Sequence, residues 1–386
     1  MASSFNIPSS VIIGGGASAE LLPQLRRLGA KRVLVVTDAF MVKSGVVARL
    51  IAPLQEGGIE TAVFEGVQPD PTVQNVRDGL ALYRSSGSEA VVAIGGGSPL
   101  DAGKAISILT TNPEPLADYM GYHKIPKAGA PLLAIPTTAG TGSEVTKVAV
   151  ITDTERDVKM MILDQHLLPV VALVDYELTL SMPAPLTAHV GVDTLTHGIE
   201  AYVSRKASEM TDPIALSCIR LAATHLVKAW EKPGNLAARE GMMLSATQGG
   251  MAFANSSVCL VHGMSRPLGL LFHIPHGLSN AMLLPAVTRF SLTGAEARYA
   301  TVARTMGLCA ADASDASAAA LLVEGLEKLN ARLEVPRIRD FKGATLEVFE
   351  AALEKMASDA LASGSPANNP VVPTASEIVQ LYREAW

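Results

Sequence analysis

Cysteine is scarce in this chain: Cys218, Cys259 and Cys309 lie far apart and form no CxxC pair. So odd and dispersed a set supplies neither a disulfide framework nor a thiolate zinc site, and the three are expected as buried core thiols. A concentrated basic run is also missing. With 31 lysines and arginines against 37 acidic residues, and a formal charge of -6, nothing offers the electrostatic footprint that nucleic acid requires. No apolar run approaches the ~20 residues that span a bilayer. The stretch MASSFNIPSSVIIGGG lacks the charged flank and long apolar core of a secretion leader. A cytoplasmic location with no membrane partner is therefore expected.

What the chain does have is apolar bulk, with 48% hydrophobic and 18% charged residues, which excludes disorder and suits a well-packed enzyme or an obligate oligomer. At 386 residues it exceeds what one core serves, so two domains are expected. The first half alternates short β-branched runs, at 32–36, 90–94, 132–135 and 170–174, with helical patterns at 21–28 and 75–85. Nearly all-apolar runs suit strands covered on both faces, so this half reads as βαβ units around a mostly parallel sheet. After VALVDYELTLSMPAPLT, Pro183 and Pro185 punctuate the chain and Ala, Leu, Met and Glu-rich stretches follow. The expected layout is an α/β dinucleotide-binding domain over 1–182 and an all-α metal-binding domain over 183–386. A capping box at Thr374 and Glu377 opens its last helix.

Asp193 and His197, in GVDTLTHGIEAYV, are four residues apart in a helical pattern, so both side chains project from one face. Downstream, LVHGMSRPLGLLFHIPHG carries His262 on an expected helix and His276 in a turn opened by Pro275 and Gly277. One carboxylate and three imidazoles suit first-row divalent ions and not calcium. An Asp and His at this spacing also occur as a surface ion pair or a cap, and it is the second block that tips the reading toward a metal. His123, His166, His189 and His225 are taken as surface or structural.

Two glycine-rich segments compete for a nucleotide. VIIGGGASAELL fits G-x-G-x-x-A through Gly14, Gly16 and Ala19, with Asp38 downstream. VVAIGGGSPLDAGKA runs a better strand into Gly95, Gly96, Gly97 and Ser98, with a helix expected from near Pro99. Leu100 breaks its strict fingerprint, and Ser98 and Ala105 exclude a P-loop around Gly103 and Lys104. Bringing backbone amides to a pyrophosphate at a helix N-terminus needs only small residues there, and the second segment meets that need better. Asp38 ends the strand KRVLVVTD, where a carboxylate accepts from ribose hydroxyls and repels a 2'-phosphate, favouring NAD over NADP. In AIPTTAGTGSE, Thr137, Thr138, Thr141 and Ser143 sit among glycines as expected cofactor contacts. Lys159 can meet a phosphate or ribose oxygen, or stand as a solvated strand residue.

With these blocks in order, AIGGGSPLDAGKA, AIPTTAGTGSEVT, GVDTLTHGIEAYVS and the HG...PHG pair, the chain resembles the iron-type, group III metal-dependent alcohol dehydrogenases over its whole length. It looks closest to their methanol and 1,3-propanediol dehydrogenase branch. The resemblance implies an active site in a cleft between the two domains, with Gly95, Gly96, Gly97 and Ser98 on the pyrophosphate. It also implies cofactor contacts at Asp38, Asp101, Thr137, Thr138, Thr141, Lys159, Leu178, Leu180 and Met182. Asp193, His197, His262 and His276 would hold one divalent ion, iron by family, with nickel or zinc also compatible. A homo-oligomer, dimer or larger, is implied too. One departure stands out: many relatives carry a histidine four residues after the third ligand, and this chain has Arg266. His273 is a candidate to replace it in a proton path.

The chemistry expected is NAD-dependent oxidation of short primary alcohols to aldehydes and the reverse, with the ion as Lewis acid. Phe253, Val258 and Leu260 are expected to shape the substrate pocket. Alternatives are a metal- and NAD-dependent lyase of the dehydroquinate-synthase type, polyol oxidation like that of glycerol dehydrogenase, and a non-enzymatic metal-binding oligomer. The lyase needs many cationic groups for its substrate, and few surround these motifs.

Overall fold

The computed structural model describes residues 4–386. The first three residues of the stretch read above for a leader lie outside the described residues. Two compact units divide the chain, the first ending at Ser181 and the second running Met182–Trp386.

In the first unit the apolar runs become strands β1 (Ser10–Ile13), β2 (Arg32–Val36), β3 (Glu60–Phe64), β4 (Ala90–Gly95), β5 (Gly121–Tyr122), β6 (Leu132–Pro136), β7 (Val148–Asp153), β8 (Val158–Leu163) and β9 (Val171–Val174). Helices α1 (Leu21–Arg27), α2 (Ala39–Lys43), α3 (Val46–Glu56), α4 (Val73–Ser85) and α5 (Gly97–Leu109) lie between them. Six strands pair in parallel in the order β1-β9-β6-β4-β2-β3. Parallel pairing requires crossovers, and these place helices on both faces of the sheet. Successive residues of β2 accordingly serve opposite cores. Leu34 and Val36 pack with α4 and α5 residues such as Leu80 and Ile106, whereas Val33 and Val35 pack with Leu25, Leu50 and Leu54 of α1 and α3. The expected parallel α/β half is borne out. A second sheet, β5-β8-β7, adds an antiparallel pair that the sequence reading left out.

Strand order reverses between β2 and β4, since β3 lies outside β2 on one side and β4 follows on the other. In open α/β sheets ligands bind outside the carboxyl ends of the strands at such a switch point. Asp38 follows β2, Gly96 to Ser98 follow β4, and Thr137 and Thr138 follow β6.

The second unit is helical throughout: α6 (Ala184–Val203), α7 (Asp212–Glu231), α8 (Leu236–Asn255), α9 (Leu260–Phe272), α10 (His276–Ser291), α11 (Glu296–Thr305), α12 (Asp315–Arg332), α13 (Leu346–Ala362) and α14 (Ala375–Ala385). The Thr374 and Glu377 capping box opens α14 as expected. Of the cysteines, Cys218 and Cys259 are buried, but Cys309, in the turn after α11, is half-buried. A turn at the surface cannot bury its side chain as a helix face does. Among the described residues no helix is long and apolar enough to cross a membrane.

Candidate functional site

Helix α6 presents Asp193, His197 and Glu200 at i, i+4 and i+7, one face of the helix, and all three are buried. Helix α9 brings His262 in its first turn. After α9 the chain reverses at His273, whose φ of 55° closes the helix in the left-handed region. His276 then starts α10 instead of standing in a turn, because Pro275 precedes it as the cap residue. The N-terminus of α10 is pressed against α6. A Cβ at Gly277 would lie 2.7 Å from the His189 carbonyl oxygen and 3.3 Å from Asp193 Cβ, so only glycine allows the approach.

Ligand-capable atoms of Asp193, His262 and His276 all lie within 4.8 Å of one another. From Asp193 Oδ1 the Nε2 atoms of His262, His197 and His276 are 3.5, 3.8 and 4.0 Å away. The His197 ring is stacked between Phe253, at 4.4 Å, and His262, at 4.6 Å. It thus approaches the set through Asp193, with its faces packed against rings.

The electrostatics sort these groups. Burial pushes the Asp193 carboxyl up, but the imidazoles of His197, His276 and His262 outweigh it and hold the group well below the usual carboxylate range. Burial pulls His262 down, while the carboxylates of Glu200 and Asp193 push it up to about 9. His276 is 46% exposed at its side chain, yet its Nε2 faces the cluster. Loss of solvent there lowers it to about 4 against the pull of the Asp193 carboxylate, with the positive field of His262, His197 and Arg266 adding to the fall.

The donor set fits a first-row divalent ion: a buried carboxylate and imidazole nitrogens converge on one slot. A side-chain amide stands in for the cation. Asn280 Nδ2 lies 2.6 Å from Asp193 Oδ1 and 3.2 Å from the Nε2 atoms of both His262 and His276. Its Oδ1 is buried without a hydrogen-bond partner, so the amide is placed by its positive end. Neither Asn280 nor Glu200 was singled out from sequence. The available signal was spacing, since Asn280 is four residues after His276 on α10 and Glu200 is seven after Asp193 on α6.

Of the substrate-pocket candidates, Phe253 covers His197 and Val258 is partly exposed, whereas Leu260 is fully buried at the start of α9. His273 is exposed.

In the first unit the glycine segment after β4 forms a cradle. A Cβ at Gly97 would stand 3.0 Å from Thr141 Cγ2, and one at Gly96 would stand 3.4 Å from Thr138 Cγ2. The backbone here lies directly against the two threonines, leaving small residues at the start of α5. That helix begins at Gly97, two residues earlier than expected. The rival segment after β1 has its amides committed: Gly16 and Ser18 each donate to the Asp175 carboxylate at 3.2 Å. A pyrophosphate there would have to displace an anion.

Asp38 caps α2 by accepting from Met41 N at 2.9 Å. Asp101 accepts from Ser143 Oγ at 2.7 Å and Val150 N at 2.9 Å. Thr137 is buried with its hydroxyl 3.3 Å from Met41 Sδ, and Leu178 joins the sheet core. Leu180 is partly exposed and Met182 buried. Lys159 lies on β8, the central strand of the small sheet, paired with Asp70 at 2.8 Å.

Comparison with known proteins identifies the family that the chain matches. Residues 8–176 match a family model described as iron-containing alcohol dehydrogenase, and residues 187–386 match its C-terminal counterpart. The chain is 39% identical to the 1,3-propanediol dehydrogenase of Citrobacter freundii over 98% of both chains. It is 37% identical to the NAD-dependent methanol dehydrogenase of Bacillus methanolicus over 99% of both. A crystal structure of 1,3-propanediol oxidoreductase superposes with a TM-score of 0.97, at 38% identity and full coverage of both chains.

Proposed function

The chain belongs to the iron-containing alcohol dehydrogenase family, and from that premise we propose which of its residues carry the reaction. It is an NAD- and metal-dependent oxidoreductase that interconverts short primary alcohols and aldehydes. In our reading Asp193, His197, His262 and His276 hold the ion. Gly95, Gly96, Gly97 and Ser98, with Thr138 and Thr141, cradle the cofactor. Leu260, being fully buried, supports the pocket from behind, and Phe253 and Val258 face a small carbon chain.

When bound, the ion supplies a Lewis acid that eases loss of the hydroxyl proton, and NAD supplies the hydride acceptor. The chain's own groups do the rest. Asp193 stays ionised at any working pH and supplies the negative charge that a cation needs. His276, pulled down to about 4, presents a neutral Nε2 lone pair at neutral pH. Arg266 keeps its proton in water at any ordinary pH and cannot relay one, so we assign the proton path to His273. On the resemblance alone we add that the chain works as a homo-oligomer, which sedimentation would test.

One observation carries the reading: a buried carboxylate and two imidazole nitrogens, from three separate helices, converge within 4.8 Å. The test is NADH formation by metal-stripped protein reloaded with iron, zinc or nickel and offered methanol through butanol and 1,3-propanediol. Turnover should appear on reloading and be abolished under every ion by His262→Ala. Substantial turnover in that variant would overturn the site.

A further inference from the structure

Glu200 is a buried carboxylate, 3% exposed, and burial of a charge is costly unless every acceptor is used. Its oxygens are all engaged. Oε2 accepts from Cys259 N at 2.7 Å and lies 2.6 Å from His262 Nδ1, while Oε1 accepts from Val261 N at 2.6 Å. Cys259 is the cap residue of α9 and provides no side-chain cap of its own. The carboxylate from α6 therefore caps α9, where free amides and the helix dipole favour an anion.

Two consequences follow for His262, third residue of α9. Two backbone amides and the ring are gripped by one rigid carboxylate, so the turn and the ring cannot rotate separately. With Glu200 acting only as acceptor, the shared hydrogen must sit on Nδ1. When the ring is neutral, this leaves the lone pair on Nε2, the atom 3.5 Å from Asp193 Oδ1. Outer carboxylates that grip a metal-binding histidine in this way fix its tautomer and orientation.

We propose that Glu200 is the positioning residue of the metal centre, joining α6 to α9 through one carboxylate so that Nε2 of His262 meets the ion. The inference rests on the metal reading above. It is tested with the full chain, stripped of metal and titrated with Co2+ against a competing chelator. Glu200→Gln keeps the shape but replaces one acceptor by a donor facing other donors. Co2+ affinity should fall about 10–100-fold, and the visible absorption band of the bound Co2+ should shift as the ligand geometry changes. Glu200→Asp, which keeps the charge, should recover part of both.

If Glu200→Gln does not fold, Glu200→Asp carries the test, with a smaller loss of affinity expected. Parent-like affinity and spectrum in the folded variant would overturn the proposal. A lowered unfolding midpoint of the metal-free variant with an unchanged Co2+ spectrum and affinity would also overturn it, reducing Glu200 to a helix cap. A parent chain that binds no Co2+ would instead sink the metal reading itself.

Discussion

The Asn280 amide nitrogen lies 2.6 Å from Asp193 Oδ1, closer than any imidazole of the cluster comes to that carboxylate. A hydrogen bond to a buried charge is worth about 1.5–3 kcal/mol. Asn280→Ala should therefore lower the stability of the metal-free protein by about 2 kcal/mol. Saturating zinc should return most of that loss, because the ion then satisfies Asp193. Urea titrations with and without chelator measure both; an equal loss in the two conditions would contradict the placement.

Asp38 caps a helix and, in the proposed reading, also selects NAD over NADP. Its side chain caps α2 through Met41 N, and glycine at a cap position costs only a few tenths of a kcal/mol. Asp38→Gly should thus leave folding intact while raising the ratio of kcat/KM for NADP to that for NAD, on the order of tenfold. An unchanged ratio would remove Asp38 from cofactor choice.

Lys104 gives the clearest pH dependence. It is 1% exposed and donates to Ser143 Oγ at 2.8 Å, Thr146 Oγ1 at 2.9 Å and the Val148 carbonyl at 2.7 Å. Burial pulls it down to about 8, against the pull of Asp101 and Glu144. The unfolded value is about 10.4, so between the two the unfolded chain holds more protons. Stability from this group therefore rises with pH in that window, by up to about 1.4 kcal/mol per unit, and is flat below it. Denaturation of the parent and Lys104→Met at pH values from about 7 to about 10 should show their difference growing in the parent's favour above pH 8. A constant difference would refute the depressed ammonium.

His273 is the group assigned to carry the alcohol's proton where Arg266 cannot. Replacing it with alanine should shift or flatten the limb of the pH profile of kcat that reports proton transfer. A profile identical to the parent's would return His273 to the role of an exposed helix end.

Much of the first unit was readable in advance because its signals are local. After the exposed Arg32, the four remaining residues of the β2 run, VLVV, are all apolar, so both faces must be covered, and a parallel sheet with helices on each side follows. The rival glycine segments were not separable by pattern. Gly14, Gly16 and Ala19 match the fingerprint, but their turn is tied down by Asp175, roughly 160 residues away. No periodicity reports a contact of that span.

In the second unit, spacing alone put Asp193 and His197 on one helical face, since the rise and turn of an α-helix depend only on the local backbone. The same rule could have pointed to Glu200 and Asn280 as neighbours of the ligands, yet spacing cannot say which side chain at a shared face is a ligand and which holds one. That depends on the approach of α9 and α10 to α6, which packing decides: Gly277 lets α10 touch the backbone beside Asp193, and Glu200 clamps the first turn of α9. Sequence by itself determined the two-part α/β and helical architecture and the chemical kinds of residue available to an ion and a nucleotide. Tertiary structure decided which of them meet, because convergence within a few ångströms is a property of helices packed against one another and is written in no single stretch of chain.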